Sequence, residues 1–156
     1  MKKRAVRVFL DSNVILSGLI SAKAAPRIIL DILSLGLPFI TGVTGRYNLI
    51  ETERNLKKKV PDVLPTYRYY LPKMNLTIVP LPSAEEVRRY AGRISEKDVP
   101  VLVSAIKVKA DFLVTGDKKD FEKLKARGDY PCVIVNPAEF LEAILPVIIK
   151  GDKKQG

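Results

Sequence analysis

Val6–Arg7–Val8–Phe9–Leu10–Asp11–Ser12–Asn13 decides how the rest of the chain is read. Val6, Val8, Phe9 and Leu10 are β-branched or large apolar residues in a run of the right length for a strand buried on both faces. The run stops at Asp11, and Asn13-Val-Ile-Leu16 opens a pattern with helical spacing. A carboxylate at the carboxyl end of a first buried strand is where an open parallel sheet places its ligand crevice. The plainer alternative is that Asp11, Ser12 or Asn13 only caps the helix that follows. Acids at similar junctions later in the chain favour the crevice.

Downstream, strands and helices alternate. Pro26 suits the first turn of a second helix whose apolar stripe is Ile28, Ile29, Ile32, Leu33 and Leu35, with Gly36 as its stop. Leu37–Thr41 reads as a second strand closed by Gly42. Thr44 then caps a helix running through Tyr47, Leu49, Ile50 and Leu56 to Lys57-Lys58-Lys59, where lysines favour the negative end of the helix dipole. Pro61 and Pro65 begin a short helical piece carrying Tyr67, Tyr69 and Tyr70, expected as core or subunit-contact residues rather than a platform for stacked bases. Leu76–Val79 is a third strand. Ser83-Ala-Glu-Glu86 is a capping box for a helix over Val87, Tyr90, Ala91 and Ile94. Asp98-Val-Pro-Val101 opens another helix, Asp111–Thr115 holds a fourth strand, and a helix is expected from Gly116 to about Ala126. Cys132–Val135 is a fifth strand, and Asn136-Pro-Ala-Glu139 caps a last helix. Alternation of this kind predicts an α/β domain, a mainly parallel sheet with helices on both faces. One domain over 1–149 is expected, with 150–156 as a frayed tail.

Composition narrows the chemistry. The chain has 156 residues, and 27 Lys and Arg against 17 Asp and Glu give a formal net charge of +10, which favours a polyanionic partner through counterion release. Histidine is absent, which excludes Ser-His and Cys-His nucleophiles and any metal site built on imidazole. Cys132 is the single cysteine, so no intrachain disulfide forms and a reducing, cytoplasmic setting is expected. Arg7, Asp11 and Asn13 interrupt the apolar stretch after Met1-Lys-Lys-Arg4 and argue against a signal peptide. The run Phe140–Ile149 contains Glu142 and Pro146 and is too short to span a bilayer, so no membrane association is expected.

Catalysis, if present, rests on carboxylates, hydroxyls, Lys, Arg or an oxygen-held metal. Asp11 ends the first strand, Asp117 lies just past the fourth, Asp98 starts the helix feeding the fourth, and Glu51 lies in the helix after the second. Clustered carboxylates repel one another, so a persistent cluster is protonated or holds a cation. Oxygen-only donors suit Mg²⁺ or Mn²⁺. Taken singly, Asp98 and Asp117 also read as helix caps, and Glu51 as an exposed helix residue.

The ordered set Phe9-Leu10-Asp11-Ser12-Asn13-Val14, Glu51-Thr-Glu-Arg-Asn-Leu56, Asp98-Val-Pro-Val101, Leu113-Val-Thr-Gly-Asp-Lys-Lys-Asp-Phe121 and Val133-Ile-Val-Asn-Pro-Ala-Glu-Phe-Leu141 resembles the PIN-domain ribonucleases, including the VapC-like toxin nucleases. The resemblance implies a three-layer α/β/α fold with strand order 3-2-1-4-5 and metal-dependent endonucleolytic cleavage of RNA that leaves a 5′-phosphate and a 3′-hydroxyl. It matches Asp11, Glu51, Asp98 and Asp117 to the family's acidic quartet and Asn13 and Thr115 to its accessory polar residues. Asp120 becomes an additional candidate ligand, and Glu53 is assigned to the surface. Family members are often toxins of toxin–antitoxin pairs and frequently dimeric, which implies an antitoxin partner and a homodimer. Lys57, Lys58, Lys59, Lys118 and Lys119 are candidates for guiding the RNA backbone. Two rivals remain. Asp11-Ser-Asn13 and Gly116-Asp117-Lys-Lys-Asp120 also resemble motifs of haloacid-dehalogenase-type phosphatases, although Asn13 replaces the second aspartate those enzymes need. A PIN-like module that binds RNA or protein without cutting is the non-enzymatic alternative.

Overall fold

Residues 4–117, 119, 121–122 and 132–155 are described in a computed structural model, with side chains through Gly151. The elements run β1 (Val6–Leu10), α1 (Ser12–Ile20), α2 (Ala25–Ser34), β2 (Ile40–Gly45), α3 (Arg46–Lys59), α4 (Leu64–Met74), β3 (Thr77–Val79), α5 (Ala84–Arg89), α6 (Val99–Lys107), β4 (Phe112–Val114), β5 (Val133–Val135) and α7 (Pro137–Gln155). Short 3₁₀ turns at Pro61–Val63 and Glu96–Asp98 lead into α4 and α6.

Among the described residues the strands form one sheet in the order β3-β2-β1-β4-β5, every pairing parallel. Strand β1 is central because its side chains are apolar on both faces. Val8 and Leu10 enter one core layer with Val14, Ile15, Ile29 and Phe140, while Phe9 enters the other with Val43, Leu102, Leu113 and Phe121. This alternation follows from the two-residue period of a strand, and burial on both faces explains the apolar run Val8–Leu10 in the sequence. The chain leaves β1 toward β2 on one side and returns through β4 on the other. The carboxyl end of β1 is therefore a topological switch point, where the diverging connections leave a crevice.

Several sequence expectations require correction. Strand β2 is Ile40–Gly45 rather than Leu37–Thr41. Gly42 sits inside it because a β-carbon there would lie 2.7 Å from Leu76 and 2.8 Å from Leu33; the glycine permits close packing and does not make a turn. Thr44 is accordingly a strand residue, and its hydroxyl donates to the Leu10 carbonyl (2.8 Å) instead of capping α3. The capping box at Ser83 is present, but α5 ends at Arg89, short of Ala91 and Ile94. Helix α7 continues through Gln155, so the frayed tail expected from Lys150 is helical there. Gly151 provides the gap into which the Phe39 ring fits; a β-carbon there would lie 2.5 Å from that ring. Of the helix expected to about Ala126, Lys119, Phe121 and Glu122 are helical and the remainder lies outside the described residues. No helix among the described residues is long and apolar enough to cross a membrane.

Candidate active site

Asp11 follows β1 directly, and its N–H still pairs with the Val114 carbonyl (3.0 Å). It is also the N-cap of α1: its side chain accepts from the Ser12 N–H (2.8 Å). The capping alternative is thus true of one carboxylate oxygen only. The other accepts from the Thr115 hydroxyl (2.8 Å), which in turn accepts from the Asp117 N–H (3.0 Å). Asn48 adds a third contact, donating to Asp11 (3.3 Å) and to the Ser12 hydroxyl (2.9 Å). Asp11 is only 5% exposed. Burial pushes its carboxyl up to about 6 from the ordinary 3.8; the bonds from Thr115 and Ser12 pull it down, and Asp98 and Glu51 add repulsion. Burial thus outweighs the donors, because desolvation penalises the charged form.

Asp98 stands at the N-cap position of α6 and makes no capping bond. Its carboxylate instead accepts from the Ser95 hydroxyl (2.6 Å) and is 6% exposed, so the cap reading fails for it. Glu51 lies on the second turn of α3, beside Tyr47, whose hydroxyl is pushed up by burial and then by Glu51. Asn13 accepts from the Gly116 N–H (2.9 Å), pinning the loop that carries Asp117 against α1.

These pieces meet. Asp11, Asn13, Glu51, Asp98 and Asp117 line one cavity of about 190 Å³, together with Lys97 and Val101. Thr115 is fully buried and reaches the cavity through Asp11 and Asp117. A second cavity of about 260 Å³ shares Asn13 and Asp117 and extends past Val14 and Ser17 to Pro26 and Pro137. Asp120 and Lys118 lie outside the described residues, and Lys119 is exposed. Lys57, Lys58 and Lys59 are exposed at the far end of α3, about 9–12 Å along the axis from Glu51 at 1.5 Å per residue. Glu53 is half-buried rather than on the surface, accepting from the Tyr67 hydroxyl (3.0 Å) and so joining α3 to α4.

Sequence reasoning missed Lys97, Asn48, Ser12 and Ser95. Among the described residues Lys97 is a cation that lines the acid cavity, its ammonium 3.4 Å from an Asp117 oxygen. Asn48 had a faint signal, since it lies three residues before Glu51 and so on the same helix face.

Among the described residues, no three acidic or cysteine side chains stand close enough to enclose an ion directly. The donor set nevertheless suits one. Mg²⁺ retains most of its water and uses one or two carboxylates. At about 30 Å³ per water, the cavity holds roughly six waters. The donors are all oxygen, and a lysine ammonium already stands in as a cation at Asp117.

The PIN domain family model matches residues 7–119, a span that contains all four acids, and the chain belongs to the PIN domain family. No curated protein sequence matches it. Solved structures do. VapBC2 from Rickettsia felis, bound to a DNA fragment from its promoter, superposes with a TM-score of 0.62 at 17% identity, covering 84% of this chain and 98% of that one. VapBC-1 from nontypeable Haemophilus influenzae gives 0.60 at 16% identity over 85% and 99%. PAE2754 from Pyrobaculum aerophilum gives 0.60 at 17% identity over 91% and 92%. At such identities the likeness is one of fold.

Proposed function

We propose that this protein is a Mg²⁺- or Mn²⁺-dependent endoribonuclease and the toxin of a toxin–antitoxin pair. The observation that carries the reading is the convergence of Asp11, Glu51, Asp98 and Asp117 on one cavity at the carboxyl edge of the sheet, two of the four being almost fully buried. Keeping acids buried together is costly in folding, and the use of such a cluster is to hold a cation.

In this mechanism one or two of the carboxylates Asp11, Glu51, Asp98 and Asp117 would hold the metal and the others would meet it through its water, with Asp120 as an additional candidate. When bound, the ion supplies the positive charge that polarises the scissile phosphodiester and favours ionisation of the attacking water. Thr115 fixes the Asp11 carboxylate by donating to it and fixes the Asp117 loop by accepting from it. Asn13 holds the same loop from α1. Attack in line with the leaving 3′-oxygen yields a 3′-hydroxyl and a 5′-phosphate. The neighbouring cavity past Val14 and Pro26 gives the RNA strand a way out of the acid centre. Lys57–Lys59 and Lys119 attract the backbone without reading its sequence.

The toxin assignment draws on the VapBC complexes among the structural matches. Exposed Ile28 on α2, Leu35 at its carboxyl cap, and Leu145 and Ile149 on the adjoining α7 offer apolar surface to a protein partner, an antitoxin chain or a second copy. The cytoplasm, where RNA is abundant and Cys132 stays reduced, is the setting that fits.

The test is incubation of purified protein with labelled RNA in Mn²⁺ or in EDTA, with end-group analysis of the products. Cleavage in Mn²⁺ alone, leaving 5′-phosphates, is expected. An RNA pool left intact in Mn²⁺ by protein shown to bind the ion overturns the enzymatic reading in favour of a binding module. A phosphoryl group trapped on Asp11 points to the phosphatase instead.

A further inference from the structure

We infer, on the nuclease reading above, that Asn48 is a positioning residue that sets Asp11 against Glu51, and that Gly45 is glycine in order to seat its amide. Neither residue touches substrate; both act on the acid centre from inside the core.

Asn48 is fully buried in the first turn of α3, with Glu51 three residues on and so on the same helix face. Its side chain reaches from that helix to the end of β1. Nδ2 donates to Asp11 Oδ1 (3.3 Å) and to the Ser12 hydroxyl (2.9 Å). Ser12 closes a ring by donating to the Asn48 backbone carbonyl (3.3 Å). Charge fixes the orientation of the amide, since the reverse would turn its oxygen onto the Asp11 carboxylate. Asp11 is thus held by Ser12 of α1, by Thr115 after β4 and by Asn48 of α3. Thr115 relates Asp11 to Asp117, and Asn48 relates it to Glu51.

The other end of the same amide shows that it is not there for packing. Among the described residues, Asn48 Oδ1 is buried without a hydrogen-bond partner. Ser104, whose hydroxyl faces the same space, donates instead to the Pro100 carbonyl (2.8 Å). An orphaned buried acceptor is destabilising, and an apolar side chain of the same shape would serve the fold as well or better. Gly45 points the same way. Its φ of −90° and ψ of 153° are extended backbone open to any residue, so conformation does not call for glycine. Space does: a β-carbon would lie 2.8 Å from Asn48 Oδ1 and 3.2 Å from Ser104 Oγ. The amide is held on its far side by Asp11 and Ser12, so it cannot swing clear of such a methyl without leaving them.

The experiment is a double-mutant cycle of Asn48→Ala and Gly45→Ala, with Asn48→Leu beside it. Each protein is read by melting in EDTA, by Mn²⁺ calorimetry and by single-turnover RNA cleavage at saturating Mn²⁺. Asn48→Leu fills the space of the amide and removes both the donor and the orphaned acceptor. Its melting temperature is expected to stay within about 4 °C of wild type. Its Mn²⁺ affinity or cleavage falls about 10–100-fold, the range for groups that orient metal ligands. A residue that only holds the fold together would show the opposite split. Gly45→Ala, which touches no acid, lowers the same quantities about tenfold by displacing the amide. In the Asn48→Ala background it adds less than about twofold, because the methyl then enters vacated space. The cycle decides alone if Asn48→Leu does not fold. Asn48 variants that bind Mn²⁺ and cleave within about twofold of wild type overturn the positioning role. A Gly45→Ala loss that persists in full without the amide overturns the seat. Wild type that binds no Mn²⁺ overturns the metal-nuclease reading itself and this inference with it, an outcome distinct from either.

Discussion

The two edges of the sheet are lined by opposite charge, and the larger cavity lies at the basic one. At the carboxyl edge the four acids surround about 190 Å³. At the amino edge Arg4, Arg7, Lys107 and Lys109 line about 590 Å³, with no acid among the lining residues. The difference lies in how the charges are kept. Three of these basic side chains are anchored: Arg4 makes two bonds to Asp111 (3.0 and 2.8 Å), Arg7 donates to the Val108 carbonyl at the end of α6 (2.9 Å), and Lys107 pairs with Glu86 (3.4 Å). These contacts finish a strand start and a helix end. At the other edge Asp11 and Asp98 are buried against neighbours of their own sign. Charge kept where solvation is lost identifies a working site better than volume does.

The largest expected contrast between the edges is in activity. Asp11→Asn or Asp117→Asn reduces Mn²⁺-dependent RNA cleavage by more than about a hundredfold, since even groups that only support metal ligands cost about 10–100-fold. Lys107→Glu with Lys109→Glu leaves cleavage at saturating RNA unchanged. Equal losses at both edges in a gel assay would abolish the distinction.

Thr115→Val comes next. It removes the donor to Asp11 and the acceptor for the Asp117 N–H, so cleavage falls about 10–100-fold while the protein stays folded. A rate within twofold of wild type would remove Thr115 from the support of the site.

Stability separates the edges by sign. The folded Asp11 carboxyl, at about 6, holds its proton more tightly than the unfolded one at 3.8. Its favourable contribution is therefore complete below about pH 3.8 and lost as the pH rises through 6. In EDTA at pH 8, Asp11→Asn is expected to be more stable than wild type by up to about 3 kcal/mol, at roughly 1.4 kcal/mol per pH unit, with the advantage gone at pH 4. Asp111→Asn, which weakens the exposed pair with Arg4, lowers stability by about 0.2–1 kcal/mol at pH 8. Urea melts of both at the two pH values decide it; a destabilised Asp11→Asn at pH 8 would refute the crowding of charge.

Metal response refines this. Mn²⁺ at a hundredfold excess over its dissociation constant stabilises wild type by about 2.7 kcal/mol, and Asp98→Asn gains much less. Identical gains would reduce Asp98 to a residue at a helix start. The smallest effect concerns Lys57–Lys59, where each alanine that removes a phosphate contact lowers the salt slope of RNA binding by about one. A slope unchanged in the triple variant would exclude that helix end from the RNA path.

How far all this was legible in the sequence depends on the range of each interaction. Asp11 and Asp98 stand out because they end or begin elements, and element ends are local features; Thr115 entered only through the family resemblance. The strand order followed from a family resemblance, not from periodicity. Gly42 was misread because glycine reports the absence of a β-carbon and not the reason for it; Leu33 and Leu76, which supply the reason, are remote in sequence. Lys97 looked like a connector residue, and its meaning arises only when β4 brings Asp117 within reach. Asn48 was hidden for a similar cause: its partners Asp11 and Ser12 lie more than thirty residues away.

The central strand is made before the other four of its sheet, yet one of its two neighbours arrives about a hundred residues later, with Val8 paired to Phe112 and Leu10 to Val114. Asp11 has no Thr115 to orient it, and the cavity lacks Asp117, until that late segment is made. Throughout most of translation the growing chain therefore carries an incomplete acid cavity, and it is the late segment that closes it.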